Sequence, residues 1–263
     1  MEELSSSGLR PETERLRGRS LCSRTVVVLG DSIVYGWGLL YEHSYPALVE
    51  RLMNENSVRA RHWRVINAGV PGNTVLMACA RYQRDVAPFR PQVVVLAFGL
   101  NDAALRRTQF DVQREDLWRA RHYPWLRVAT ILRRFINGSW LRKASLCAPA
   151  EVHRVASPRV RPRLFVTGLG DLIRRARRDG AEVHLLPLAP LSRQKMSLAQ
   201  WNLYQDYNQR IRWVARRHGV SSIDLDDARS DPFAPESMLA ADGVHLTASG
   251  HVWLARRVHH HLV

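Results

Sequence analysis

A serine hydroxyl becomes a nucleophile when a base takes its proton, and histidine serves best as that base when a carboxylate fixes its tautomer. Three residues of this sequence have the types for such a relay. Ser32 stands in Gly30-Asp31-Ser32, directly after the apolar run 26–29. His245 and Asp242 stand in ADGVHLTASG, the acid three residues before the imidazole. Acyl chemistry also needs donors where negative charge develops on the carbonyl oxygen. The backbone N–H of Ser32 is one candidate. Gly72, within NAGVPGN, has no side chain to obstruct its own N–H, although Gly69 in the same loop competes for that place. Asn101, within Gly99-Leu100-Asn101-Asp102, carries a side-chain amide.

Taken singly, each residue has a plainer reading. Ser32 caps a turn, His245 is a loop histidine, and Asn101 starts a helix. Asp31 and Asp102 hold turns. What favours chemistry is where the elements put them. Residues 25–29, 64–66, 93–97, 182–186 and 220–224 are short apolar or β-branched runs that read as strands. Helical spacing recurs between them: after Ser44-Tyr45-Pro46, at Val75, Cys79, Tyr82 and Val86, from Phe165 to a stop near Gly180, through Tyr204, Tyr207, Ile211 and Val214 to Gly219, and over 248–260. Strands alternating with helices predict a parallel sheet covered on both faces, an α/β sandwich of three layers. Ligands of such sheets gather beyond the carboxyl ends of the strands. The blocks holding Ser32, Gly72 and Asn101 each follow a strand, so they converge on one edge.

The four blocks, GDS, NAGVPGN, GLND and DGVH, occur in one order. In that order the chain resembles the SGNH hydrolases, the GDSL-type esterases and lipases, over about residues 25–102 and 160–260. The resemblance implies a flavodoxin-like fold with a central five-stranded parallel sheet. It implies Ser32 as nucleophile, His245 as base, Asp242 as its orienting partner, and an oxyanion hole from Ser32, Gly72 and Asn101. It implies ester hydrolysis with no metal or cofactor. Thioester hydrolysis and deacylation of carbohydrates or lipids use the same machinery and stay open. Ile33 stands where the family name has leucine, and Leu246 where proline is frequent. The G-x-S-x-G elbow of the α/β-hydrolases is absent around Ser32.

Composition sets the remaining expectations. The 263 residues read as a polar tail, 1–24, and a single domain, 25–263, interrupted by an insertion at 105–157. No apolar leader or bilayer-length run is seen, which predicts a cytoplasmic protein. Three scattered cysteines suggest neither a disulfide framework nor a zinc site. The formal charge is +15, carried almost wholly by arginine. From 103 to 163 there are fourteen basic residues against four acids, together with Trp118, Trp125 and Trp140. This insertion reads as a cap over the site, as a solvated helical decoration, or as a peripheral contact with an anionic membrane. A basic binding protein with a secondary hydrolase fold is the rival of another class. No nucleic-acid motif appears, so the expected partner is a small-molecule or lipid ester, with no nucleic acid and no partner protein. Trp37 reads as acyl-pocket lining or as core. His259, His260 and His261 read as a solvated tail, and His62, His184 and His218 as loop histidines.

Overall fold

A computed structural model describes residues 24–55, 62–105, 157–189, 191–225 and 237–263. The described residues from 24 to 104 and from 158 to 263 fall within one compact unit. All but the last residue of the expected tail, and the interior of the Arg/Trp-rich insertion, lie outside the described residues, as do Cys22 and Cys147.

Five strands form one sheet: β1 (Arg24–Gly30), β2 (Trp63–Gly69), β3 (Val93–Ala97), β4 (Glu182–Leu185) and β5 (Ser221–Ser222). Their order is β2-β1-β3-β4-β5 and every neighbouring pair is parallel. A parallel sheet is buried on both faces, which is why its inner strands β1 and β3 carry continuous apolar runs rather than alternating ones. Val26, Val27, Val28 and Leu29 are accordingly fully buried. Each such side chain stabilises the fold by about 1.5–3 kcal/mol.

The described helices are α1 (Ser32–Tyr35), α2 (Tyr45–Glu55), α3 (Val75–Asp85), α4 (Leu100–Ala103), α5 (Pro162–Arg178), α6 (Leu198–His218) and α7 (Ala248–Leu262). α2 packs on α7, while α3 packs on α5 and α5 on α6. Gly219 ends α6 in the left-handed region, at φ 57°. The outer edge of β2 is occupied by α2: Glu50 accepts the N–H of Val65 at 2.6 Å and Asn54 both accepts from and donates to Trp63. Those side chains satisfy backbone groups that an open sheet edge would leave unpaired.

Several expectations need correction. β2 runs three residues past Ile66, because Asn67, Ala68 and Gly69 stay in register with Val28, Leu29 and Gly30. β5 is reduced to two residues. The terminal histidines form the last turn of α7 and not a solvated tail. The His261 ring lies 3.2 Å from Nδ1 of His184 and 2.8 Å from the Ser221 hydroxyl. His184 itself is a buried residue of β4 rather than a loop histidine, and His218 closes α6.

The strand order reverses between β1 and β3. Chain leaves these adjacent strands in opposite directions, and a crevice opens between the departing loops. The first loop begins with Asp31 and Ser32, the second with Gly99 and Asn101.

Candidate active site

Ser32 is the first residue of α1, immediately beyond β1, and is almost fully buried. Asp31 caps this short helix, its Oδ1 accepting the Ile33 N–H at 3.0 Å. Gly36 closes it in the left-handed region, at φ 76°. The Ser32 carbonyl takes the N–H groups of Gly36 and Trp37 at 3.1 and 3.0 Å. The Ser32 N–H has no hydrogen-bond partner among the described residues.

His245 comes from the far end of the chain. A small antiparallel bridge, Leu239 to Leu246, and a turn at Gly243 (φ 72°) shape its loop. Buried Leu246 anchors that loop, and Thr247 caps α7 by accepting the Gly250 N–H at 3.2 Å. α7 is in turn fixed to α2, because His251 Nδ1 accepts the Tyr45 N–H at 3.1 Å and its ring stacks on Tyr45. So placed, His245 Nε2 lies 3.0 Å from Ser32 Oγ, and Nδ1 lies 2.6 Å from Asp242 Oδ2. The other oxygen of Asp242 accepts the N–H groups of Val244 and His245, each at 2.9 Å. Burial works to raise the Asp242 carboxyl, but the His245 ring and those two N–H groups outweigh it and hold it at about 2. The acid therefore stays charged across the working pH range, although half its side chain is exposed.

The loop after β2 carries Gly69 and Gly72, and the structure separates them. A methyl on Gly69 would meet the Tyr35 nitrogen at 2.3 Å. The N–H of Gly69 is also taken by Asn67 Oδ1 at 3.0 Å. Gly69 thus serves close packing of β2 against α1. Gly72 has open space around it and a φ of 74°, and its N–H is unengaged among the described residues. Buried Arg81 secures this loop to the strand ends. Its Nη2 donates to the carbonyls of Gly30 and Ala68, both at 2.9 Å, Nε to Asn73 Oδ1 at 2.9 Å and Nη1 to Asp85 at 2.8 Å.

Asn101 lies in the first turn of α4. Its amide nitrogen donates to Asp31 Oδ2 at 3.1 Å, and its oxygen accepts from Arg159 Nη1 at 3.1 Å. One amide hydrogen is thereby engaged, and the second has no partner among the described residues. Asp102 accepts the N–H of Val75 at 2.9 Å and that of Gly99 at 3.1 Å, joining the start of α3 to the loop after β3. Burial pushes the Asp31 carboxyl up to about 6, against the Ile33 N–H and the Asn101 amide that lower it. Burial pushes Asp102 up to about 7, with the charge of Asp31 adding to the shift.

Sequence reading overlooked Arg81 and Arg159, two arginines among 37, because neither sits in a recognisable motif. The signal in the sequence for Arg81 was its place on the buried face of α3, beside Tyr82. Arg159 had none, since its partners lie 58 and 87 positions away.

Beside the relay lies an open hollow with about 30 Å³ of free volume, lined by Ile33, Leu100, Leu186, Leu188, Leu191 and Val244 among others. The Trp37 ring stands 6.3 Å from that of His245 and is half exposed, so it is site wall rather than core. Among the described residues no cluster of three His, Cys, Asp or Glu is placed to hold a metal, and no helix is long and apolar enough to cross a membrane.

Comparison with known proteins follows the same lines. A family model described as GDSL-like lipase/acylhydrolase matches residues 28–253. Among solved structures, a lipase/acylhydrolase from Enterococcus faecalis superposes with a TM-score of 0.62 at 19% identity, covering 91% of this chain and 95% of the other. LAE5, an alpha/beta hydrolase enzyme from the metagenome of Lake Arreo, gives 0.60 at 22% identity, covering 90% and 94%. Axe2, an acetylxylan esterase from Geobacillus stearothermophilus, gives 0.58 at 19%, covering 91% and 94%. These likenesses establish the fold. No curated protein matches the sequence.

Proposed function

The chain belongs to the GDSL-like lipase/acylhydrolase family and is a carboxylic ester hydrolase, and on that premise we propose that Ser32 carries the acyl group. His245 Nε2 takes the Ser32 proton as Oγ attacks the ester carbonyl. Asp242 holds the other ring nitrogen, fixing the tautomer and stabilising the imidazolium. The oxyanion is received by the N–H groups of Ser32 and Gly72 and the amide of Asn101. The alcohol leaves with the proton from His245. Water activated by the same imidazole then attacks the acyl-enzyme, releases the acid and restores Ser32.

The observation that carries this reading is the continuous relay from Asp242 through His245 to Ser32, with contacts of 2.6 and 3.0 Å. The adjacent hollow is small, about 30 Å³ of free volume, which favours short acyl groups, so acetyl esters are the proposed substrates over octanoyl esters. Labelling with a fluorophosphonate probe, followed by mass-spectrometric mapping, tests the nucleophile. The adduct is expected on Ser32; an adduct on another serine, or none, would overturn the assignment.

A further inference from the structure

We propose that Arg159 is a positioning residue that aligns the oxyanion donors, a role that rests on the cradle assigned above. Its guanidinium bridges the two donors that come from separate loops. Nη1 donates to the Asn101 side-chain oxygen at 3.1 Å, and Nη2 donates to the Gly72 carbonyl at 3.0 Å. Asn101 in turn donates to Asp31, the chain neighbour of Ser32, at 3.1 Å. One connected path therefore runs from Gly72 through Arg159, Asn101 and Asp31 to the residue before the nucleophile.

Chemistry makes arginine suited to this place. Guanidinium only donates, so it accepts no alternative in which the Asn101 amide is flipped. The planar fork reaches two acceptors at once with its geometry preset. With Arg159 on one side and the Asp31 carboxylate on the other, the Asn101 oxygen and nitrogen have a single assignment, with the NH2 toward the nucleophile's loop. A charged donor on the amide oxygen also polarises the amide, strengthening its remaining N–H as a donor. Gly72 gains differently. Its φ of 74° lies in the left-handed region that glycine enters freely, and anchoring its carbonyl restrains the ψ rotation by which this loop residue could otherwise drift.

The backbone beneath Arg159 is anchored. Its N–H bonds the Ala104 carbonyl at 3.0 Å, and the Val160 N–H bonds that of Asp102 at 3.1 Å. The buried Tyr207 hydroxyl donates to the Val160 carbonyl. The side chain is thus held from the end of α4 and reaches back over its first turn.

The test is a double-mutant cycle on p-nitrophenyl acetate, using Arg159→Met, Asn101→Ala and the pair, with thermal unfolding measured for each. Misplacement of a donor is expected to lower kcat by about 10- to 100-fold with KM within about twofold, less than the roughly 100- to 1,000-fold cost of deleting Asn101. Fluorophosphonate inactivation, which also builds negative charge on oxygen, is expected to slow in parallel. In the Asn101→Ala background, Arg159→Met is expected to lose most of its effect. Arg159→Lys keeps the charge and one donor at a time, and is expected to fall between wild type and Arg159→Met; it replaces Arg159→Met if that variant does not fold. Full turnover in folded Arg159→Met or Arg159→Lys, or strictly multiplicative losses in the cycle, would overturn the role of Arg159 alone. Full turnover in Asn101→Ala would overturn the cradle itself and this role with it.

Discussion

The Nε2 of His245 sits 3.0 Å from Ser32 Oγ across a sequence separation of 213 residues. Nothing local draws them together. The meeting depends on α7 docking against α2 and on the β1–β3 crevice presenting Ser32 at the sheet edge. Asp242 makes the next contact, its carboxylate facing the ring's other nitrogen at 2.6 Å.

Asp242→Asn keeps the shape and changes the proton. Asparagine's oxygen would satisfy the N–H groups now on Oδ1, leaving its NH2 against His245 Nδ1. The ring would then carry its proton on Nε2, facing Ser32 with a donor where an acceptor is required. We expect kcat to fall by about 1,000- to 10,000-fold with little change in melting temperature. Turnover within tenfold of wild type on p-nitrophenyl acetate would refute the tautomer argument.

The two loop glycines should fail in different ways. Gly69→Ala drives a methyl to within 2.3 Å of the Tyr35 nitrogen, so the backbone of α1 must move. The expected result is a large loss of stability, seen in urea unfolding. Gly72→Ala meets no atom within 4 Å but occupies a φ of 74°. Left-handed strain costs about 1–2 kcal/mol, and the relaxing backbone should turn its N–H away. Here kcat is expected to fall more than stability does. Equal kcat losses per unit of lost stability in both variants would remove the distinction.

Strand residues 93–97 and the C-terminus of α6 were legible in the sequence because their causes are local: an uninterrupted apolar run in a doubly covered sheet, and a glycine able to adopt φ 57°. Ser32 and Asn101 were legible as types just beyond strands, and Asp242 and His245 as a spaced pair before the last helix, though only tertiary packing brings them together. The carboxyl end of β2 was hidden because Asn67, Ala68 and Gly69 lack strand-forming side chains and are recruited by register with β1. Arg159 was hidden for the opposite reason. In a segment crowded with arginine, one that makes two buried-side contacts looks like any solvated charge.

Trp37 offers half of its surface to solvent next to the catalytic ring proposed above. An aromatic contact of this type contributes about 0.5–1.5 kcal/mol. Trp37→Ala is therefore expected to raise KM for naphthyl or phenyl esters by about 2- to 10-fold, with kcat and melting temperature nearly unchanged. An acyl-chain series distinguishes this wall from the hollow near Ile33: truncating Trp37 should leave the acetyl-over-octanoyl preference intact. Unaltered KM for every ester would take Trp37 out of the substrate's path.

Asp102 makes stability depend on pH. Its native value, about 7, lies above the ordinary carboxyl value of 3.8, chiefly through burial. Between these values the folded chain holds a proton that the unfolded chain has released. Stability from this group is present at low pH and is lost as pH rises through 7, by up to about 1.4 kcal/mol per pH unit within the window. Asp102→Asn removes the titration and also one of the two acceptors serving Val75 and Gly99, so the variant is less stable throughout. Its deficit relative to wild type should nonetheless shrink between pH 5 and pH 8, by an amount on the order of 3 kcal/mol. Asp31 titrates in both proteins and cancels to first order in the comparison. Urea unfolding at the two pH values measures the difference directly, and a deficit that is constant or grows with pH would mean that the Asp102 carboxyl is not raised by its burial.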